Sequence, residues 1–226
     1  MQASIQNRVA VLLSGGLDSC VLTAILAGVV ERVHPIYIRQ GLHWEQIELD
    51  WAGRFLQQLD SENIEGIREL ELPVTDIYNS HWSTTGMNAP DHLSDDHEVY
   101  LPGRNLLLLA KTSLFCALND IPAIALGPLA GNPFPDSTSD FFFRFQEMAS
   151  LALGFPLEIH TPFSKLSKVD VIQLGRNLPL HLSFSCISPA AGQHCGACNK
   201  CAERRRSFQQ AGVADRTVYR SSPKLV

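Results

Sequence analysis

The chain has 226 residues, 45% of them hydrophobic and 18% charged, with a mean hydropathy near zero; this is the balance of a soluble globule able to bury a substantial core without disulfides. A formal charge of −5 and a pI near 5.9 give no long-range attraction for nucleic acid, so a small-molecule partner is expected. The first apolar run is too short to span a membrane and lacks the basic flank and cleavage site of a leader, which points to the cytoplasm and to reduced cysteines.

Val9-Ala10-Val11-Leu12-Leu13 has strand length, and Cys20 to Ala27 places apolar residues at helical spacing. Ser14-Gly15-Gly16-Leu17-Asp18-Ser19 joins them. Two glycines let the backbone turn sharply beside a ligand, and the free N–H groups and dipole of the following helix favour an anion there, phosphate above all. Ser14 and Ser19 add hydroxyls, while Asp18 is placed to cap the helix or to help hold a metal ion that offsets phosphate charge. The order SGGLDS resembles the pyrophosphate-loop signature SGGxDS of the ATP-alpha-hydrolases. The resemblance implies that Leu13, Ser14, Gly15, Gly16, Leu17, Asp18 and Ser19 bind ATP, with Mg2+ alongside. No GxxxxGK[ST] occurs, which disfavours the other common phosphate loop.

Val33 to Ile38 reads as a second strand, Gly41 to Leu59 as an amphipathic helix and Ile67 to Leu72 as a third strand. This alternation means parallel βαβ units with right-handed crossovers, hence a doubly wound α/β sheet whose ligand lies outside the carboxyl ends of the strands. His43, Trp44 and Glu45 open the second helix at that end, which makes His43 a candidate for the substrate side. From Pro73 to Gly103 periodicity disappears and Pro, Gly, Asn, Asp and His accumulate, the mark of a functional or mobile loop, read here as an active-site lid. Arg104 opens the apolar helix Leu106 to Leu118 with the wrong charge for a helix start, so an anion, phosphate or a substrate carboxylate, is expected beside it. Ile121 to Gly127 is the fourth strand, and the Gly/Pro-rich run behind it turns Asn132, Asp136 and Asp140 toward the site. Ser139 to Leu153 is a helix whose Phe141, Phe142, Phe143 and Phe145 read as core packing. Leu157 to Ile159 makes a short fifth strand, and Ser167 to Leu174 a last helix carrying Lys168 and Asp170.

Cys186, Cys195, Cys198 and Cys201 follow C-x8-C-x2-C-x2-C, with Gly196 relieving the crowding of the knuckle. The set describes a closed tetrahedral Zn2+ site; an iron–sulfur cluster is the rival, disfavoured because no proline follows the last cysteine. Cys20 and Cys116 read as small core residues, and Arg204, Arg205 and Arg206 as a solvated helix face near the thiolates. The chain divides into a nucleotide-binding domain over residues 1–180 and a zinc-binding segment over 181–226 packed on it.

SGGLDS at the start, Leu101-Pro102-Gly103-Arg104-Asn105 midway, Thr161-Pro162-Phe163 with Lys168 and Asp170 behind it, and CGACNKC near the end together resemble the 7-cyano-7-deazaguanine synthase family, in order and over nearly the whole chain. The resemblance implies a mostly parallel five-stranded sheet like that of the adenine nucleotide alpha-hydrolases. It also implies a queuosine-type biosynthetic ligase that converts 7-carboxy-7-deazaguanine and ammonia to the nitrile. An adenylated acid, an amide and a second adenylation with dehydration follow one another, and AMP and pyrophosphate are released. Asp18, Arg104 and Lys168 are the catalytic candidates, the two cations offsetting charge at the reacting phosphorus. Asp136 and Asn132 join His43 on the substrate side, where one carboxylate can accept from the adjacent N–H and amino group of a guanine-like ring. The family's GQxHxxE stands here as Gln40 to Glu45, and its GYPDCR as Asn132 to Thr138, keeping Pro135-Asp136 and losing Cys-Arg. A divergent ligase adenylating another acid and a tRNA-modifying pyrophosphate-loop enzyme are the alternatives. The expected partners are a small-molecule substrate and ammonia, with no membrane; a homodimer is left open.

Overall fold

The computed structural model describes residues 7–221. Strands β1 (Arg8–Leu12), β2 (Arg32–Arg39), β3 (Arg68–Glu71), β4 (Ala123–Ala125) and β5 (Glu158–His160) form one sheet in the order β3-β2-β1-β4-β5, every pairing parallel. Helices α1 (Leu17–Ala27), α2 (Glu45–Leu59), α5 (Arg104–Leu118), α6 (Ser139–Leu153), α7 (Lys168–Leu174) and α8 (Asn199–Ala211) surround it. The chain runs outward from β1 to β3, then returns to the other side of β1 for β4 and β5. The strand order therefore reverses between β1 and β4, and a crevice opens above their carboxyl ends.

A parallel sheet covered on both faces needs strands apolar on both faces, which is why β1 reads as an unbroken hydrophobic run. Val9 and Val11 pack with Leu22, Val171 and Phe208 on one face; Ala10 and Leu12 pack with Leu109, Phe142 and Phe145 on the other. Each large side chain so buried contributes roughly 1.5–3 kcal/mol.

Several boundaries and faces differ from the sequence reading. The second helix starts at Glu45 rather than Gly41, because Gly41 sits at φ +80° and the Glu45 carboxylate accepts the backbone N–H groups of Gln40 and Gly41, closing a turn ahead of the helix. Phe142 and Phe145 are buried as expected, but Phe143 is 58% exposed, since helical period turns it away from the sheet. Asp140 is exposed and pairs at 2.8 Å with Arg144 one turn on, so it does not face the site. Arg204 is not solvated: only 2% exposed, it donates to Thr217 and Ser183 and to the Leu180 carbonyl, which satisfies a guanidinium that burial would otherwise penalise.

The 73–103 loop holds two single-turn helices, α3 (Thr75–Tyr78) and α4 (Trp82–Thr85), and a 3-10 turn at Asp96–Val99. It is fastened to the cysteine-rich segment: the Asn199 backbone N–H donates to the Pro90 carbonyl at 3.0 Å and its side-chain amide to the Ser94 carbonyl at 2.8 Å. Leu42, Trp44, Val99 and Leu101 share one apolar cluster with Phe184, Cys186, Cys198 and Cys201. The stretch following residue 180 thus packs against both α2 and the loop; the outer limits of the two expected domains, at residues 1 and 226, lie outside the described residues. No helix among the described residues is long and apolar enough to cross a membrane.

Candidate active site

Gly15 adopts φ +74°, and a Cβ there would meet the Glu48 carbonyl at 2.9 Å and Ala52 at 3.3 Å, so glycine is what lets the loop press against α2. The loop is tied from three sides: Leu13 N–H to the Ile36 carbonyl at 2.9 Å, Phe184 N–H to the Gly15 carbonyl at 2.7 Å, and the Ser19 hydroxyl to the Gly16 carbonyl at 3.0 Å. Ser14 Oγ accepts the Gly16 N–H at 3.3 Å and lies 3.2 Å from Ser19 Oγ. Gly16 is the N-cap of α1, and no side chain caps that helix, which leaves its leading N–H groups for an anion.

Asp18 does not cap either. Its Oδ2 accepts from Lys168 Nζ at 2.6 Å, while its Oδ1 is buried without a partner. From there a row of alternating charges crosses three helices and the loop. Lys168 lies 3.6 Å from Glu203, Glu203 accepts from Lys200 at 2.8 Å, and Lys200 lies 3.7 Å from Asp96. Burial works against the Lys168 charge, yet Asp18 and Glu203 outweigh it and hold the ammonium protonated beyond the ordinary lysine range. Burial likewise opposes the Glu203 carboxylate, and Lys168 and Lys200 overcome it, bringing that carboxyl down to about 2.

Arg104 starts α5 after Gly103, and its Nε donates to Gln40 Oε1 at 3.2 Å. A carboxylate of the protein also reaches this helix start. Asp136, 7% exposed, accepts the Asn105 N–H at 2.8 Å, and its backbone carbonyl accepts from the Asn105 side chain at 3.0 Å. Its carboxylate thereby caps α5, and Asp136 is not among the residues that line the two compartments described below. Thr138, rather than Asp136, caps α6.

Two compartments meet above the strand ends. A recess of about 180 Å3 is walled by Leu12, Ile36, Ile38, Leu108 and Leu126. A chamber of about 450 Å3 is lined by Trp44, Trp82, Phe134, Phe184, Lys168 and Lys200. Ser14, Gly16, Asp18, Glu48, Arg104 and Gly127 border both. A groove of about 700 Å3 elsewhere, with exposed Arg176, His181 and Arg216 on its walls, includes no residue of the glycine loop.

Of the residues singled out from sequence, Leu13, Ser14, Gly16, Leu17, Asp18, Ser19, Arg104, Lys168 and Asn132 line the compartments. Gly15 supports the loop from behind. His43 is exposed and packs its ring on Gly86, outside the lining, because α2 begins beyond it and turns Trp44 inward instead. Glu48, Trp82, Phe184, Lys200 and Glu203 line the chamber without having been anticipated.

All six cysteines are free thiols, and the sulfurs of Cys186, Cys195, Cys198 and Cys201 lie within 4.8 Å of one another. Cys186 and Cys198 are 3.8 Å apart and Cys195 and Cys201 4.0 Å. A tetrahedron with zinc–sulfur bonds of about 2.3 Å has edges of about 3.8 Å, so the set fits Zn2+. Backbone N–H groups of Cys195, Ala197 and Cys198 donate to these sulfurs, as thiolate ligands require. A bound zinc here supplies structure, since four thiolates leave no open position.

Residues 8–212 match the family model described as Queuosine biosynthesis protein QueC. A 7-cyano-7-deazaguanine synthase of Methanothermobacter thermautotrophicus is 30% identical over 92% of this chain and 97% of its own length. One from Methylococcus capsulatus is 33% identical over 93% of this chain and 98% of its own. A solved 4-thiouridine synthetase–RNA complex with bound ATP is 14% identical with a TM-score of 0.50, over 91% of this chain and 50% of that one, a likeness of fold alone. With the family model spanning the sheet, the loop and the knuckle, and with relatives alike over nearly their full length, this chain belongs to the QueC family of queuosine biosynthesis proteins.

Proposed function

We propose that this chain is an ATP-dependent, AMP-forming synthase that converts 7-carboxy-7-deazaguanine and ammonia into 7-cyano-7-deazaguanine. The observation that carries the reading is the continuity of a narrow apolar recess with a wider aromatic chamber, the glycine loop, Asp18 and Arg104 bordering both. In this reading the recess takes adenine, the loop and the start of α1 take the phosphates, and a flat bicyclic acid lies among Trp44, Trp82 and Phe134. Asn132 stays a candidate for its polar edge, while Asp136 acts indirectly by fixing the helix start that carries Arg104.

A carboxylate resists ammonia because oxide is a poor leaving group; AMP leaves readily. The residues serve that exchange by holding acid and α-phosphorus together and by offsetting developing charge with loop N–H groups, Lys168 and Arg104. Asp18 Oδ1, a buried hard oxygen without a partner, suits the Mg2+ that accompanies the nucleotide. The part up to about residue 180 supplies the nucleotide side, and the zinc-binding segment adds Lys200 and Glu203 to the chamber.

Purified protein given ATP, Mg2+, ammonium and 7-carboxy-7-deazaguanine is expected to yield the nitrile with AMP and pyrophosphate. Asp18→Asn should cut turnover on the order of 10²-fold or more with a far smaller fall in melting temperature. Absence of any acid-dependent pyrophosphate release from the unmutated protein overturns the reading.

A further inference from the structure

Making a nitrile from ammonia strips every hydrogen from the nitrogen. Ammonia brings three and ammonium four, so the cleft needs a proton acceptor that works near neutrality. Among the described carboxylates that line the compartments, Asp18 is held by Lys168 at 2.6 Å, Glu203 by Lys200 at 2.8 Å, and Asp96 stands 3.7 Å from Lys200. Glu48 differs. The partner of its Oε2 is a neutral hydroxyl, Tyr37, at 2.8 Å, and it borders both compartments beside Ser14, Gly16 and Arg104.

We propose that Glu48 is the general base of the nitrogen-transfer steps. The inference rests on the activity proposed above. As the ammonia lone pair forms the C–N bond, the C–O bond to AMP breaks, its electron pair leaves on the phosphate oxygen, and one N–H proton passes to the Glu48 carboxylate. When the amide oxygen bonds to the α-phosphorus of a second ATP, pyrophosphate departs and a second N–H proton is taken. In the last step the remaining N–H bond breaks, its electron pair completes the third C–N bond, AMP leaves, and Glu48 takes the third proton. Between steps the carboxylic acid returns each proton to water through the open chamber.

The surroundings suit this task. Burial pushes the Glu48 carboxyl up to about 7, with Arg104 on α5 and the Tyr37 hydroxyl on β2 pulling it down and Glu45 on its own helix pushing it up. The Cys20 thiol of α1, behind it, is buried and pushed up beyond its ordinary range, so it stays neutral. Tyr37 is driven upward by burial and by Glu48 and serves as a donor throughout.

Adenylation of the acid removes no N–H proton, which separates the two roles. Glu48→Gln is expected to keep acid-dependent exchange of pyrophosphate into ATP within about threefold of the unmutated enzyme while nitrile formation falls by roughly 10²–10⁴-fold, with Glu48→Asp recovering part of it. Tyr37→Phe, which removes a hydrogen bond favouring the carboxylate, should move the acidic limb of the nitrile rate profile to higher pH. Equal loss of exchange and nitrile in Glu48→Gln, unchanged nitrile formation, or an unmoved limb in Tyr37→Phe overturns the assignment. No exchange in the unmutated enzyme with this acid instead removes the activity reading and the proposal with it.

Discussion

Glu48 occupies a place where the period of α2 asks for a hydrophobe, because Glu45, Glu48, Ala52 and Phe55 share its buried side. That mismatch was present in the sequence and is the signal that finds the residue; ranking residues by motif passes over it. Its stability consequence is separate from catalysis. A carboxyl raised from 4.5 to about 7 keeps its proton in the folded chain at a pH where the unfolded chain has released it. The stabilisation is therefore complete below about 4.5 and is lost as pH rises through about 7. Glu48→Gln, neutral at every pH, should be more stable than the parent at pH 8 by on the order of 1–3 kcal/mol and should match it near pH 4.5. Thermal unfolding at the two pH values checks this; equal melting temperatures at pH 8 would show that the buried charge carries no penalty. The cap that Asp136 places on α5 was not legible in the same way, because the carboxylate comes from a turn 31 positions away from the Asn105 N–H that it accepts.

At the scale of elements, the knuckle and the cleft are one construction. α8 begins with Cys198 at its N-cap and carries Cys201, then sends Lys200 and Glu203 into the chamber and Arg204 back to Ser183 and Leu180. Cys198→Ser should therefore cost both folding and turnover. Structural zinc contributes on the order of 10 kcal/mol in small zinc peptides, and loosening the helix also frees the charges that brace Lys168. Metal analysis should find one zinc per chain in the parent, and the variant should lose it along with a large part of its melting temperature. Full activity with unchanged melting temperature would break the link between the two sites. The cysteine spacing and the five-strand alternation were legible because they are local patterns. The anchoring of the 73–103 loop was not: Asn199 and Ser94, whose contact fixes it, are 105 positions apart, and no local period records such a pairing.

Across the whole molecule, the first strand is the centre. β1 precedes both of its neighbours in the chain, one of them, β4, lies beyond Leu118, and the Gly15 carbonyl just behind β1 waits for the N–H of Phe184. Sequence reading gave the strand alternation, and the reversal of order between β1 and β4 follows from covering both faces; that the stretch after residue 180 would close over the loop had no local signature. Such long-range pairing slows folding. Amide exchange during refolding should accordingly show β1 and β2 protected before the glycine loop, with loop protection appearing together with that of the Phe184 segment, and later still when zinc is chelated. Simultaneous protection of loop and β1, indifferent to chelation, would contradict this order. On a ribosome the same bond acts as a clock: the glycine loop remains without its finishing contact until Phe184 has been translated and has emerged.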